Sequence, residues 1–244
     1  MLEAFVWGLV GAASLVLGAL IVQVHTPRPR ALGLVMGFGA GVLLASVSFE
    51  LVDEAVTVAG GLGSTAIGFF AGALTFFAGD VAIGRYGRYE RRKAIRPTPT
   101  DASPLSIVLG ASLDGIPESA ALGLTVLREG SVGVALLFAV FVSNLPESIA
   151  ASSGLLESGW TRVHVTLLWS GIALVSGLAA AIGYVALDGA GNDANAFVLA
   201  FAGGAILTML STTMMPEAYE HAGRAVGLMT TLGFAVAYTI NWLA

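Results

Sequence analysis

Apolar residues fall along the chain in eight successive runs, about 3–24, 31–55, 63–84, 104–127, 131–154, 163–187, 194–219 and 223–243. Short polar or basic stretches separate them. Each run is close to the ~20 residues that a helix needs to cross a hydrocarbon core ~30 Å thick. The pattern predicts an all-α, polytopic membrane protein of eight transmembrane helices, a single integral domain over 1–244. The first run has no basic stretch ahead of it and no clear cleavage site, so it reads as a retained helix rather than a signal peptide.

Composition agrees with this solvent. Hydrophobic residues make up 56% of the 244 and charged residues 11%, against about 25% charged in a typical soluble domain. The 32 glycines suit close helix approach in lipid. With no cysteine, disulfides, iron–sulfur ligation and thiolate metal sites are excluded. The net charge of −5 is dispersed and does not suggest a nucleic-acid partner.

Basic residues set the orientation. Arg28 and Arg30 follow the first run, Arg85, Arg88, Arg91, Arg92, Lys93 and Arg96 the third, Arg162 the fifth and Arg224 the seventh; Arg128 alone falls on the other side. The positive-inside rule puts these odd-numbered connections in the cytoplasm and both termini outside. The stretch 85–103, with Pro97 and Pro99, reads as a flexible cytoplasmic connector. The expected location is the plasma membrane, multi-pass.

Two self-similarities run through the chain. Phe38-Gly39-Ala40-Gly41 and Asp53-Glu54-Ala55 of the second run correspond to Phe201-Ala202-Gly203-Gly204 and Pro216-Glu217-Ala218 of the seventh, at an offset of 163. Those runs cross in opposite directions. Asp114-Gly115-Ile116-Pro117-Glu118-Ser119 and Ser143-Asn144-Leu145-Pro146-Glu147-Ser148 form a second pair, at an offset of 29. The arrangement predicts a 3+2+3 order with inverted repeats, the layout of alternating-access carriers.

Three of the eight prolines, Pro117, Pro146 and Pro216, lie inside apolar runs, and a glutamate follows each. A proline cannot donate to the carbonyl four residues back, so Leu113, Val142 and Thr212 each gain a free C=O. A carboxylate beside a free carbonyl is what hard divalent cations seek. Asp114 and Glu118 share a helix face, as do Ser143 and Glu147, with Asn144 nearby. An acid at the bilayer centre costs about 2.5–3.5 kcal/mol on insertion scales, and neither run places a Lys or Arg beside these acids. A bound cation, protonation or both must compensate. The competing structural reading has each glutamate protonated and hydrogen-bonded across a helix interface. Glu50, Asp53 and Glu54 toward the outer end of the second run, and Glu217, Glu220 and His221 toward the inner end of the seventh, are vestibule ligands of an entrance and exit or interfacial groups facing water. His25 and His164 read as interface residues, and Met209, Met214 and Met215 as packing.

On these motifs the chain resembles the ZIP (Zrt/Irt-like protein) family of divalent metal transporters, in its prokaryotic type. The family's signature is His-Asn-x-Pro-Glu-Gly on the fourth helix with a similar motif on the fifth. Glu50, Glu54 and Ala55, with Pro216-Glu217-Ala218, look like its second and seventh helices. The resemblance covers essentially the whole chain and implies eight helices, outward termini and a 3+2+3 inverted arrangement. It also implies that Glu118 and Glu147 are shared or bridging metal ligands, that Asn144 is a polar ligand, and that Asp114 and Ser143 stand at ligand positions. Asp114 replaces the usual histidine, Ser143 stands where histidine or glutamine is common, and Gly115 where asparagine is. An oxygen-rich set of this kind suits manganese or iron(II) as well as zinc.

The expected function is uptake of a divalent cation past Glu50 and Glu54, through Asp114, Glu118, Ser143, Asn144 and Glu147, and inward past Glu217 and His221. No prosthetic cofactor is expected. The partners are the transported metal, the lipid bilayer and, as one oligomeric option, a homodimer. The alternative is a channel or proton-coupled carrier for a non-metal solute. An intramembrane metalloenzyme lacks its parts: there is no His-Glu-x-x-His, no cysteine and no transmembrane Ser–His pair at a plausible spacing.

Overall fold

A computed structural model describes residues 1–93 and 104–243, with side chains over 1–85, 108–128 and 130–243. The described residues are helical throughout, with no strand. In chain order the helices are α1 (Leu2–Val24), α2 (Pro29–Ser46), α3 (Asp53–Ala59), α4 (Gly63–Lys93), α5 (Pro104–Glu129), α6 (Val134–Glu157), α7 (Arg162–Leu187), α8 (Asn192–Met209), α9 (Met215–Ala222) and α10 (Ala225–Leu243). Local chemistry marks several ends. Pro29 opens α2, where its missing N–H has no helical partner to lose. Gly60, at φ 63°, closes α3 in the left-handed region. The Thr161 hydroxyl accepts from His164 N at 3.3 Å and caps α7.

Two spans are not uniform α-helix. A π-helical segment, Val47–Val52, joins α2 to α3, and another, Leu210–Met214, joins α8 to α9. The two segments begin 163 residues apart, the offset already visible in the sequence. Hydropathy cannot report a π turn, because one extra residue in the helix leaves composition unchanged. Pro216 therefore stands in the first turn of α9, at a junction rather than inside an uninterrupted helix. Pro117 and Pro146 do lie within continuous helices.

Among the described residues seven spans are long and apolar enough to cross a membrane: 2–24, 29–59, 63–85, 134–157, 162–187, 192–222 and 225–243. This is consistent with a polytopic membrane protein. The remaining run forms α5, 26 residues long, whose side chains are described from 108 to 128. The connector expected over 85–103 starts as helix, since α4 continues through Lys93. Arg, Lys and Glu are good helix formers, and no proline comes before Pro97. Residues 94–103, the rest of that connector, lie outside the described residues.

The main helix pairings are α4 with α8, α2 with α10, α1 with α7, α5 with α7, and α1 and α2 with α6. Several of these contacts bring backbones together at glycine, and α2 with α10 and α4 with α8 do so from both sides. A Cβ on Gly41 would strike the Thr230 carbonyl, and one on Gly233 would strike that of Phe38, between α2 and α10. Gly72 and Gly204 stand in the same relation to the carbonyls of Phe201 and Phe69, between α4 and α8. Small residues at the crossing let two helices pack where lipid offers no hydrophobic drive. The main core gathers Leu43, Leu51, Leu122, Leu124, Leu136, Leu199, Ile206 and Leu210, all close to fully buried. These pairings hold α5 and α6, with their acidic motifs, inside the bundle.

Candidate metal site

Asp114 and Glu118 lie one turn apart on α5, and Ser143, Asn144 and Glu147 on α6. The Asp114 and Glu147 side chains approach each other across the two helices, within hydrogen-bonding reach. Two carboxyls at such a distance repel each other unless a proton or a cation lies between them. Glu118 is 1% exposed and its Oε2 has no hydrogen-bond partner. It is close enough to Asp114 and Glu147 to interact with both electrostatically. The Ser143 hydroxyl donates to the Val140 carbonyl at 3.1 Å, which leaves its oxygen lone pairs available to a ligand. Asn144 is buried on the same helix.

A cavity of about 220 Å³ opens beside this group. Its lining takes Asp114 from α5, Ser143 and Glu147 from α6, and Glu217 from α9; Met36, Met209 and Met214 complete much of the rest. Asp114 and Glu147 are enclosed by protein yet face this space, which explains their intermediate exposure. Glu118 and Asn144 are not on the lining. Trp169 forms one wall, fully buried, with its Nε1 donating to Ser152 Oγ at 2.8 Å. The lining comes from the first halves of α2, α5 and α7, the middle and later part of α6, and the second half of the span 192–222. The cavity therefore occupies the half of the bundle nearest the connections 25–28, 158–161 and 223–224.

Of the five ligand positions expected from sequence, the structure brings Asp114, Ser143 and Glu147 to one cavity, and adds Glu217 from the exit group. Among the described residues no three His, Cys, Asp or Glu side chains stand together as a ready-made metal cage. Within α5 and α6 the basic residue Arg128 lies at the far end, committed to Glu54. The arrangement offers a cation two neighbouring carboxyls, a third within electrostatic reach and hydroxyl oxygens. That donor set fits a divalent ion entering as substrate.

The expected entrance residues are engaged elsewhere. Glu50, in the first π segment, accepts from Leu136 N in the first turn of α6 at 3.0 Å. Glu54 accepts from Arg128 at 2.8 Å. At the other end His221 Nδ1 lies 2.8 Å from the Glu217 carbonyl, and both side chains are partly buried. Asp80 of α4 interacts electrostatically with Asp114 and was not among the expected site residues. It is the one acid within the apolar part of the third run, 63–84, and an intramembrane acid is a functional candidate by default.

The comparisons with known proteins agree with a transport role. The chain is 28% identical over 198 residues, 80% of its length, to a "putative zinc transporter" of Arabidopsis thaliana. It spans 31% of that protein's length. It is 27% identical over 257 aligned positions to the zinc transporter ZTP29 of Arabidopsis thaliana, covering 92% of this chain and 87% of the relative. No protein-family model matches the chain. Its relatives are thus named as transporters, not enzymes.

Proposed function

We propose that the chain carries divalent metal cations, zinc or the harder manganese and iron(II), across a membrane, and that it is a ZIP-type transporter. The observation that carries the reading is that Asp114 and Glu147 face one cavity inside the bundle, with Glu118 within electrostatic reach and no basic residue of α5 or α6 beside them. Buried carboxyls cost free energy unless protons or a cation neutralise them. The zinc-transporter names of the two relatives support the same class of substrate.

The proposal includes the 3+2+3 inverted arrangement. It is supported by the matched π segments and by the matched glycine crossings of α2 with α10 and α8 with α4. Charge placement supports both termini outside, in the plasma membrane. On that orientation the cavity faces the cytoplasm, with Glu217 and His221 on the exit side and Glu50 and Glu54 on the entrance side. The proposed direction is uptake, inward past these two groups.

Thermal unfolding in detergent tests the reading directly. Ligand at 100 times its Kd stabilises by about 2.7 kcal/mol, which raises Tm by several degrees. Zinc, manganese or iron(II) should produce such a saturable rise, and Glu147→Ala should remove it. A Tm indifferent to every divalent metal would favour a carrier or channel for a non-metal solute.

A further inference from the structure

The methionines divide sharply by place. The chain has six, and three of them, Met36, Met209 and Met214, line the cavity that holds Asp114, Ser143, Glu147 and Glu217. They come from α2, α8 and the second π segment, the elements that face the acidic motifs of α5 and α6. All three are buried, at 2%, 5% and 7% exposure. A Cβ built on Gly39 would lie 3.2 Å from the Met214 Cε and 3.2 Å from the Ser143 Cα, so the thioether end sits beside a candidate ligand.

Packing alone does not explain this distribution. On the same stretch of chain, core positions Ile206 and Leu210 carry branched aliphatics that are almost fully buried. The intervening cavity position, Met209, carries a thioether. Leucine would fill apolar space there as well. Sulfur adds a neutral, polarisable lone pair, and thioethers favour softer metals while carboxylates and hydroxyls suit hard ones. A weak neutral donor also suits a passage, where binding must be loose enough to release.

We propose that Met36, Met209 and Met214 are thioether donors that, with Glu147 and Glu217, make this cavity selective for borderline and soft divalent cations over hard ones. The inference rests on the transport reading above. It names the substrate class of that same site: zinc and cadmium ahead of manganese, magnesium and calcium.

The test is uptake of radiolabelled cadmium and manganese by proteoliposomes carrying the full chain. Met36→Leu, Met209→Leu and Met214→Leu keep the side-chain volume and remove the sulfur. The triple variant should lower the cadmium-to-manganese uptake ratio about tenfold, and each single variant about twofold. A ratio unchanged in the triple variant overturns the proposal, and so does an equal loss for both ions, which would mark a packing role. If the triple variant does not reconstitute, the single variants are judged by the same ratio. Wild-type vesicles that take up neither ion would sink the transport reading itself. Uptake with a ratio indifferent to the leucine substitutions would sink the thioether role alone.

Discussion

Arg128 and Glu54 meet at the end of the bundle opposite the cavity, where Arg128 Nε and Nη2 both donate to Glu54 Oε1, at 3.0 and 2.8 Å. The pair ties the last turn of α5 to α3. It is partly open to water, with the Glu54 side chain 32% exposed, so its contribution to stability is small. Arg128→Gln should cost no more than about 1 kcal/mol, read as a Tm change of a few degrees at most in detergent. A much larger loss would mean that the pair is shielded far better than its exposure indicates.

Glu50 does more for the fold than Glu54. Its Oε2 accepts from Leu136 N, one of the four N–H groups that begin α6 without a helical partner. Glu50→Ala should cost about 0.5–2 kcal/mol, the range for loss of a helix cap. Glu50→Gln keeps an acceptor oxygen and should recover most of it. Hydrogen exchange at the start of α6 would show the fraying.

The glycine crossings predict a sharper effect. A methyl on Gly41 would strike the Thr230 carbonyl, and backbone cannot turn aside as a side chain can. Gly41→Ala should destabilise by about 1–3 kcal/mol, the usual cost of overpacking, by parting α2 from α10. Gly227→Ala is the control, since a Cβ there meets nothing within 4 Å. Equal melting temperatures for the two variants would contradict the described packing.

Asp114 and Glu147 lie close enough to share a proton, and that closeness has a measurable consequence. A divalent cation that takes both carboxyls as ligands must displace a proton shared there, so binding releases protons and weakens as pH falls. Calorimetry in two buffers of different ionisation enthalpy should report about one proton or more released per cation. An identical heat in both buffers would show that the cation does not bind through this pair.

Much of this was legible before any coordinates. The eight apolar runs became helices because 20-residue periodicity needs only local composition. Asp114, Glu118 and Glu147 were visible as acids stranded in apolar sequence. What escaped is tertiary. Asp80 reaches Asp114 from another helix, and no spacing along α4 reveals which neighbour it faces. Met209 and Met214 read as packing until α8 and the second π segment are set around one cavity. The π segments at Val47–Val52 and Leu210–Met214 shift which face each span presents without altering its hydropathy. Glu50 looked like a free entrance ligand because its partner, Leu136 N, is a backbone group far along the chain.

The central claim is that a divalent metal crosses the membrane by way of the carboxylates on α5 and α6. Uptake of radiolabelled zinc into proteoliposomes, with unlabelled manganese and iron(II) as competitors, measures it most directly. Wild type should accumulate zinc, the competitors should reduce that uptake, and Glu147→Ala or Glu118→Ala should abolish it while the variants still fold. Full zinc uptake retained in both variants would contradict the account.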